Sequence, residues 1–231
     1  MGQNVTISGR DGDFSAYLAA PSSGHGPGIV VIQEIFGIND VMREMADRLA
    51  AQGFFALAPD LFWRLKPGIE LTDKTDAEWK EALDLMGRFD VDKGIEDIQA
   101  TIDHLRVTTG INGKIGAVGY CLGGMLAYLT ATRTDIDASV GYYGVQLPKY
   151  LGEAGNIKKP LLLHIADEDG FSSKQAQAET LKALGTNSHV TTHVYPSVDH
   201  AFARPGGKNF NAEAAELANA RTDTFFRSHL G

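Results

Sequence analysis

Lys114-Ile115-Gly116-Ala117-Val118-Gly119-Tyr120-Cys121-Leu122-Gly123-Gly124-Met125 is the stretch that decides the fold. Lys114 to Gly119 reads as a buried strand, and Leu122 to Thr132 as a helix. Between them stands Gly119-Tyr120-Cys121-Leu122-Gly123, a Gly-x-Ser-x-Gly nucleophile elbow with cysteine in the serine's place. A sharp strand-to-helix turn forces the central residue into a strained conformation. Side chains two residues to either side would collide there, so only small residues fit. The central side chain is then exposed at the carboxyl edge of the sheet. The backbone N–H of Leu122, at the helix start, can donate to a developing oxyanion, and a helix N-terminus favours thiolate over thiol. Glycine-rich junctions of this kind also cradle phosphates, but the chain has neither Gly-x-Gly-x-x-Gly nor Gly-Lys-Ser/Thr. A lone cysteine is by default a small buried hydrophobe; its position between the elbow glycines marks Cys121 as the candidate nucleophile.

Strand and helix alternate on both sides of the elbow. Asn4 to Ile7 and Phe14 to Leu18 flank Gly9-Arg10-Asp11-Gly12, an N-terminal β-hairpin. Gly28 to Ile32 is a continuous apolar run of the kind buried on both faces. Asn39 caps a helix over Asp40 to Ala51 with Val41, Met45 and Leu49 at helical spacing, Gly53 ends it, and Phe54 to Ala58 is the next strand. Leu61 to Asp76 reads as irregular, followed by helices over Ala77 to Arg88 and Asp92 to Leu105. Beyond the elbow helix, strands are expected at Ala138 to Tyr142, Leu161 to Ala166 and Val190 to Tyr195, with helices over Ser172 to Leu184 and Asn209 to Arg227. The alternation predicts an α/β fold: a three-layer sandwich around a mostly parallel eight-stranded sheet with an N-terminal antiparallel hairpin. One domain over residues 1–231 is expected, with residues 61–90 as a small excursion over the carboxyl edge of the sheet.

A nucleophilic cysteine needs a base. Of the seven histidines, His25, His104, His164, His189, His193 and His229 fall in loops, strands, an exposed helix face or the C-terminal tail. His200 instead follows the final strand in a loop at the carboxyl edge, where it can meet the elbow. An orienting acid is expected in Leu161-Leu-Leu-His-Ile-Ala-Asp-Glu-Asp-Gly170. Asp169, just before the turn glycine, is the choice, and Asp167 is the alternative. Cys121, Asp169, His200 is the chain order of α/β-hydrolases, not of chymotrypsin-like or papain-like proteases.

The composition fits this reading. The chain has 231 residues, one cysteine, 43% hydrophobic and 22% charged residues, and a net charge of −8. It is long enough to bury about 70% of its unfolded surface without a staple, and one cysteine excludes an intrachain disulfide. An acidic chain without a basic run is a poor partner for nucleic acid or an anionic membrane surface. No apolar run approaches the roughly 18 residues of a membrane span. No signal peptide is visible, so a cytoplasmic location is expected. Met1-Gly2-Gln3-Asn4-Val5-Thr6 satisfies the loose myristoylation pattern, but no basic patch follows as a second anchor.

Four segments make the sequence recognisable: Gln33-Glu-Ile-Phe-Gly37, Ala58-Pro-Asp-Leu61, Gly119-Tyr-Cys-Leu-Gly-Gly124 and Asp199-His-Ala-Phe-Ala-Arg204. With these, the chain resembles the dienelactone hydrolases (carboxymethylenebutenolidases). The resemblance implies a monomeric, metal- and cofactor-free hydrolase of small enol-lactones from aromatic-compound breakdown. It maps the triad onto Cys121, Asp169 and His200, and gives Glu34 the role of contacting the resting thiol. It puts the oxyanion hole at the N–H groups of Ile35 and Leu122. It implies substrate contacts from Phe36 and Tyr142, and places Arg204 on the substrate carboxylate. The family's second carboxylate-binding arginine falls, without gaps, on Trp79, beside Lys80; Arg88 and Arg64 are nearby alternatives. Leu83 and Met86 stand where the family has aromatic residues. The changed anion clamp and pocket wall leave an ester or thioester of another kind as the alternative substrate, and a hydrolase-fold binding protein as the non-enzymatic alternative.

Overall fold

A computed structural model describes residues 2–231. Met1, where the myristoylation pattern begins, lies outside the described residues. The strands form one eight-stranded sheet in the order β1-β2-β4-β3-β5-β6-β7-β8. The chain divides into two compact units, one ending at Ala117 and one running from Val118 to Gly231.

The first unit opens on the hairpin β1 (Gln3–Gly9) and β2 (Gly12–Ala19). Gly9 lies opposite Gly12, so Arg10 and Asp11 make the turn. β2 pairs antiparallel with β4 (Phe55–Pro59), and β4 pairs parallel with β3 (Gly26–Ile32). Ile29 to Ile32 are wholly buried, which explains the unbroken apolar run. The side chain of Asn39 accepts from the Met42 N–H at 3.2 Å and starts α1 (Asp40–Ala51). The buried face of α1 is Met42, Met45, Ala46 and Leu49. Val41, expected on that face, is only half-buried. Thr75 caps α2 (Asp76–Arg88): its Oγ1 accepts from the Glu78 N–H at 3.2 Å and donates to the Glu78 carboxylate at 2.8 Å. In α3 (Val91–Val107), Ile95, Ile98, Ile102 and Leu105 are buried as their spacing predicts. Both α1 and α3 pack on strands of this unit.

β5 (Ile111–Tyr120) carries the chain into the second unit. There β6 (Ala138–Tyr142), β7 (Leu161–Ala166) and β8 (Val190–Tyr195) pair in parallel. α4 (Leu122–Arg133) is buried on all sides from Leu122 to Thr132, so its sequence shows no polar face. It lies so close to β6 that a Cβ on Gly124 would stand 2.3 Å from the Tyr142 carbonyl oxygen. A 3-10 segment, Leu147–Asn156, was not signalled by the sequence. α5 (Lys174–Leu184) and α6 (Ala212–Leu230) complete the unit, with α6 packed on β6 and β7.

Candidate active site

Cys121 sits between β5 and α4 with φ +57° and ψ −113°. This is a costly backbone for a side chain with a Cβ, of the order of 1–3 kcal/mol. Backbone hydrogen bonds hold it. The Cys121 N–H donates to the Tyr142 carbonyl at 3.1 Å, and the Cys121 carbonyl accepts from Gly124 at 3.0 Å and Val145 at 3.3 Å. The glycine requirement is severe: a Cβ on Gly119 would lie 1.9 Å from the Gly123 carbonyl oxygen. The cysteine is 6% exposed.

His200 lies in the loop after β8. Its Nδ1 bonds both carboxylate oxygens of Asp169, at 3.1 and 3.0 Å, with both residues buried. Nε2, the other ring nitrogen, is buried and makes no fully formed hydrogen bond to nitrogen or oxygen. Burial disfavours a charged imidazole here. The negative charge of Cys121, hydrogen bonding to Asp169 and Cys121, and the Asp169 charge outweigh it, and the His200 pKa is raised to about 10. The ring of Tyr143 meets that of His200 edge-on at 5.1 Å, and that of Phe171 does so at 4.8 Å. Phe171 is 57% exposed, so it forms an apolar rim beside the imidazole.

Asp167 is turned away from this cluster. Its carboxylate pairs with Lys174 at 2.7 Å on the surface, and Glu168 shares the same ammonium at 3.1 Å. The reason is register. The Asp167 N–H continues the parallel ladder onto the Tyr195 carbonyl at 2.9 Å, and the chain turns toward His200 only after Glu168. Tyr142 also differs from its expected place. Its hydroxyl donates to Asn219 Oδ1 at 3.1 Å and exchanges a bond with Thr222 at 2.6 Å, both on α6. Its ring packs at a tilt against His164, whose pKa is held well below the ordinary value by burial and by the charges of His193 and Arg221. The tyrosine that borders His200 is therefore Tyr143, whose φ of +37° breaks the alternation of the strand end. Sequence reading assigned no role to Tyr143, Phe171 or Asp199, although Tyr143 and Phe171 lie next to or near Tyr142 and Asp169 and Asp199 opens the His200 motif. Arg204 follows in the same loop and is buried, its N–H donating to the Ala201 carbonyl at 3.0 Å.

The remaining expected residues belong to the first unit. Gln33 to Gly37 leave the end of β3 in a loop pinned to residues 69–71: Ile38 N–H donates to Ile69 O at 3.1 Å and Leu71 N–H to Phe36 O at 2.8 Å. Gly37 has φ +77°, and a Cβ there would meet Ile69 O at 1.9 Å. Glu34, Ile35 and Phe36 are buried. The Gln33 side chain braces the loop by accepting from the Leu61 N–H at 3.0 Å. Trp79 on α2 packs edge-on against Phe36 at 5.2 Å, and its indole N–H donates to the Asp73 carbonyl at 3.1 Å. Lys80 and Leu83 are exposed and Met86 is half-buried. The two alternative arginines are committed elsewhere. Arg88 pairs with Asp84 at 2.9 Å, and Arg64 with Asp97 at 3.0 Å and Asp11 at 2.9 Å. Among the described residues, no group of three or more His, Cys, Asp or Glu side chains could hold a metal ion, and no helix is long and apolar enough to cross a membrane.

A buried thiol near an imidazole that is itself bound to a carboxylate is an arrangement with the chemistry to exchange a proton between sulfur and ring. Comparison with known proteins agrees. The model of the dienelactone hydrolase family matches residues 14–230. A provisionally named carboxymethylenebutenolidase of Azospirillum brasilense is 51% identical over 96% of each chain. Carboxymethylenebutenolidase 1 of Cupriavidus pinatubonensis is 39% identical over 96% of this chain and 95% of its own. The fold is shared with a provisionally assigned dienelactone hydrolase of Klebsiella pneumoniae, with a TM-score of 0.87 at 24% identity and 99% coverage of both chains. With an elbow cysteine, a carboxylate-bound histidine and a family match over almost its whole length, this α/β-hydrolase-fold chain belongs to the dienelactone hydrolase family, enzymes that act on ester and lactone bonds.

Proposed function

We propose that the protein opens a small, anionic lactone of the dienelactone type, 4-carboxymethylenebut-2-en-4-olide, to maleylacetate, with Cys121 as nucleophile and Asp169 and His200 completing the triad. The observation that carries the reading is the His200–Asp169 pair at 3.0 Å beside a cysteine whose charge raises the histidine's pKa. In this reading the Cys121 thiolate attacks the lactone carbonyl carbon while His200 holds the thiol proton. The N–H groups of Ile35 and Leu122 stabilise the tetrahedral oxyanion. The ring C–O bond then breaks and its electrons leave as an enolate oxygen, giving a thioester. Cysteine acyl-enzymes deacylate slowly, and the enolate provides a base next to the thioester. It takes a proton from water, and the resulting hydroxide attacks the acyl carbon, releasing the product acid and the thiolate. Glu34 contacts the resting thiol and is displaced by substrate. Arg204 binds the substrate carboxylate, and Phe36 and Trp79 contribute to its pocket. The protein works as a monomer in the cytoplasm, without a metal or cofactor.

A second reading keeps the chemistry and changes the substrate to another carboxylic ester or thioester. The observation favouring it is the commitment of Arg64 to Asp97 and of Arg88 to Asp84, with Trp79 at the position of the family's second arginine. A turnover panel of both dienelactone isomers, aryl esters and thioesters decides between them. A kcat/KM preference of at least about 10², equivalent to roughly 2.7 kcal/mol of transition-state discrimination, is expected for one lactone isomer. Equal or better turnover of uncharged aryl esters would replace the lactone reading with the second. Covalent labelling of Cys121 by every substrate without product release would remove the enzymatic reading.

A further inference from the structure

The Asp199-His-Ala-Phe-Ala-Arg204 motif holds a carboxylate that the reaction does not use. One oxygen of Asp199, Oδ1, accepts two backbone N–H groups: that of Gly170 at 2.8 Å and that of His200 at 2.6 Å. The first belongs to the peptide immediately after Asp169, and the second to His200 itself. The two loops that carry the acid and the imidazole therefore converge on a single atom.

Little else fixes these two peptides to each other. The ladder between the loops runs from Asp167 N–H to Tyr195 O and from Glu168 N–H to Val198 O, both at 2.9 Å, and then stops. The next N–H along the acid loop, that of Gly170, is taken by the Asp199 carboxylate instead of a backbone carbonyl. The loop needs such support because Ser197 and Ala201, on either side of His200, have φ of +58° and +62°. Neither is glycine, so each conformation costs free energy that the surroundings must offset. On the far side, Asn209 Nδ2 donates to the His200 carbonyl at 3.0 Å. The peptide groups before and after His200 are thus held by the side chains of Asp199 and Asn209, and Asp199 also reaches the acid loop.

We propose that Asp199 is a positioning residue that sets the separation and orientation of the Asp169–His200 pair by accepting both N–H groups at Oδ1. This rests on the reading of Cys121, Asp169 and His200 given above. The role is that of an acceptor and not of a charge, so an amide oxygen at the same place should serve and a methyl group should not.

The test uses the full chain and two readouts: kcat and KM on an aryl ester, and the pH profile of iodoacetamide labelling. Labelling is unambiguous because Cys121 is the single cysteine. D199A is expected to lower kcat by about 10- to 100-fold with KM little changed, the scale of a displacement of about 1 Å at a reacting pair. Its labelling profile should move to higher pH, because a displaced imidazole holds the thiolate less well. D199N should stay within about threefold of the parent in kcat and keep its labelling profile. Wild-type kcat and labelling in D199A would overturn the proposal, as would a D199N as impaired as D199A. If D199A does not fold, D199E, which moves the oxygens by one methylene, replaces it with the same expected losses. C121A is measured alongside. Should it keep turnover, the functional reading falls, while the labelling profiles of the Asp199 variants still decide the positioning role.

Discussion

Two turns in the second unit, the elbow at Cys121 and the loop around His200, contain non-glycine residues in left-handed backbone, and they are held in opposite ways. At the elbow, Cys121 has φ +57° and is enforced by what its neighbours lack: Gly119 lies so close to the Gly123 carbonyl that no Cβ fits on Gly119. In the histidine loop, Ser197 and Ala201 have φ of +58° and +62°, and the conformation is held by what the neighbours add, namely the carboxylate of Asp199 and the amide of Asn209. The first device is steric and local in sequence. The second is a set of hydrogen bonds, each worth about 1 kcal/mol net, made between segments that come together only in the folded chain. An added methyl group should destroy the first, whereas losing one contact should only loosen the second.

The largest effect should come from the reacting atom. C121A is expected to lose about 10⁴-fold or more in kcat on every ester or lactone turned over, the scale of removing a triad nucleophile; full retention of activity would end the cysteine mechanism. G119A tests the elbow as a steric device. With the new Cβ facing a carbonyl oxygen at 1.9 Å, the turn must shift, and destabilisation of about 3 kcal/mol or more is expected in a urea titration, beyond ordinary overpacking. A G119A protein with parent stability and activity would erase the contrast between the two turns.

The third test is electrostatic. The His200 pKa, about 10 in the folded protein, lies above its ordinary value of 6.5. The pair therefore contributes stability that is fully present below about pH 6.5 and is lost as pH rises through about 10. In C121A the main raising influence is gone, and an NMR titration of the His200 ring should report a clearly lower pKa. An unchanged titration would mean that Asp169 alone holds the proton. Asn209→Ala should cost only about 1 kcal/mol in a thermal melt, the worth of its bond to the His200 carbonyl. The smallest effect is assigned to Asp167→Asn. Its exposed pair with Lys174 should change stability by less than about 1 kcal/mol and leave kcat almost unaltered, whereas Asp169→Asn should lower kcat by about 10³- to 10⁴-fold. A reversal of these two would transfer the acid role to the other loop position.

How far the sequence could be read follows the same contrast. The strand–turn–helix around Cys121, the Asn39 cap and the buried run of β3 are legible because each depends on residues a few positions apart. Val41 was misplaced by a single helical position because spacing alone does not separate the centre of an apolar face from its border. The 3-10 segment over Leu147–Asn156 carries no period that a helix or strand pattern would show. Asp169 stood out from Asp167 only through Gly170, and the ladder between β7 and β8 is what turns Asp167 toward Lys174. Tyr142 and Tyr143 are equivalent in sequence. The backbone reversal at Tyr143 sends one ring to α6 and the other to His200.

By itself, the sequence determined the α/β alternation, the elbow and the identity of the single thiol, because glycine spacing, capping and apolar periodicity act over a few residues. Only the tertiary structure decided which carboxylate meets His200, which tyrosine lies beside it and which side chains hold its loop. Those choices depend on where the loops after β7 and β8 meet, and that meeting is set by parallel strand register and by bonds to backbone groups that no local pattern records.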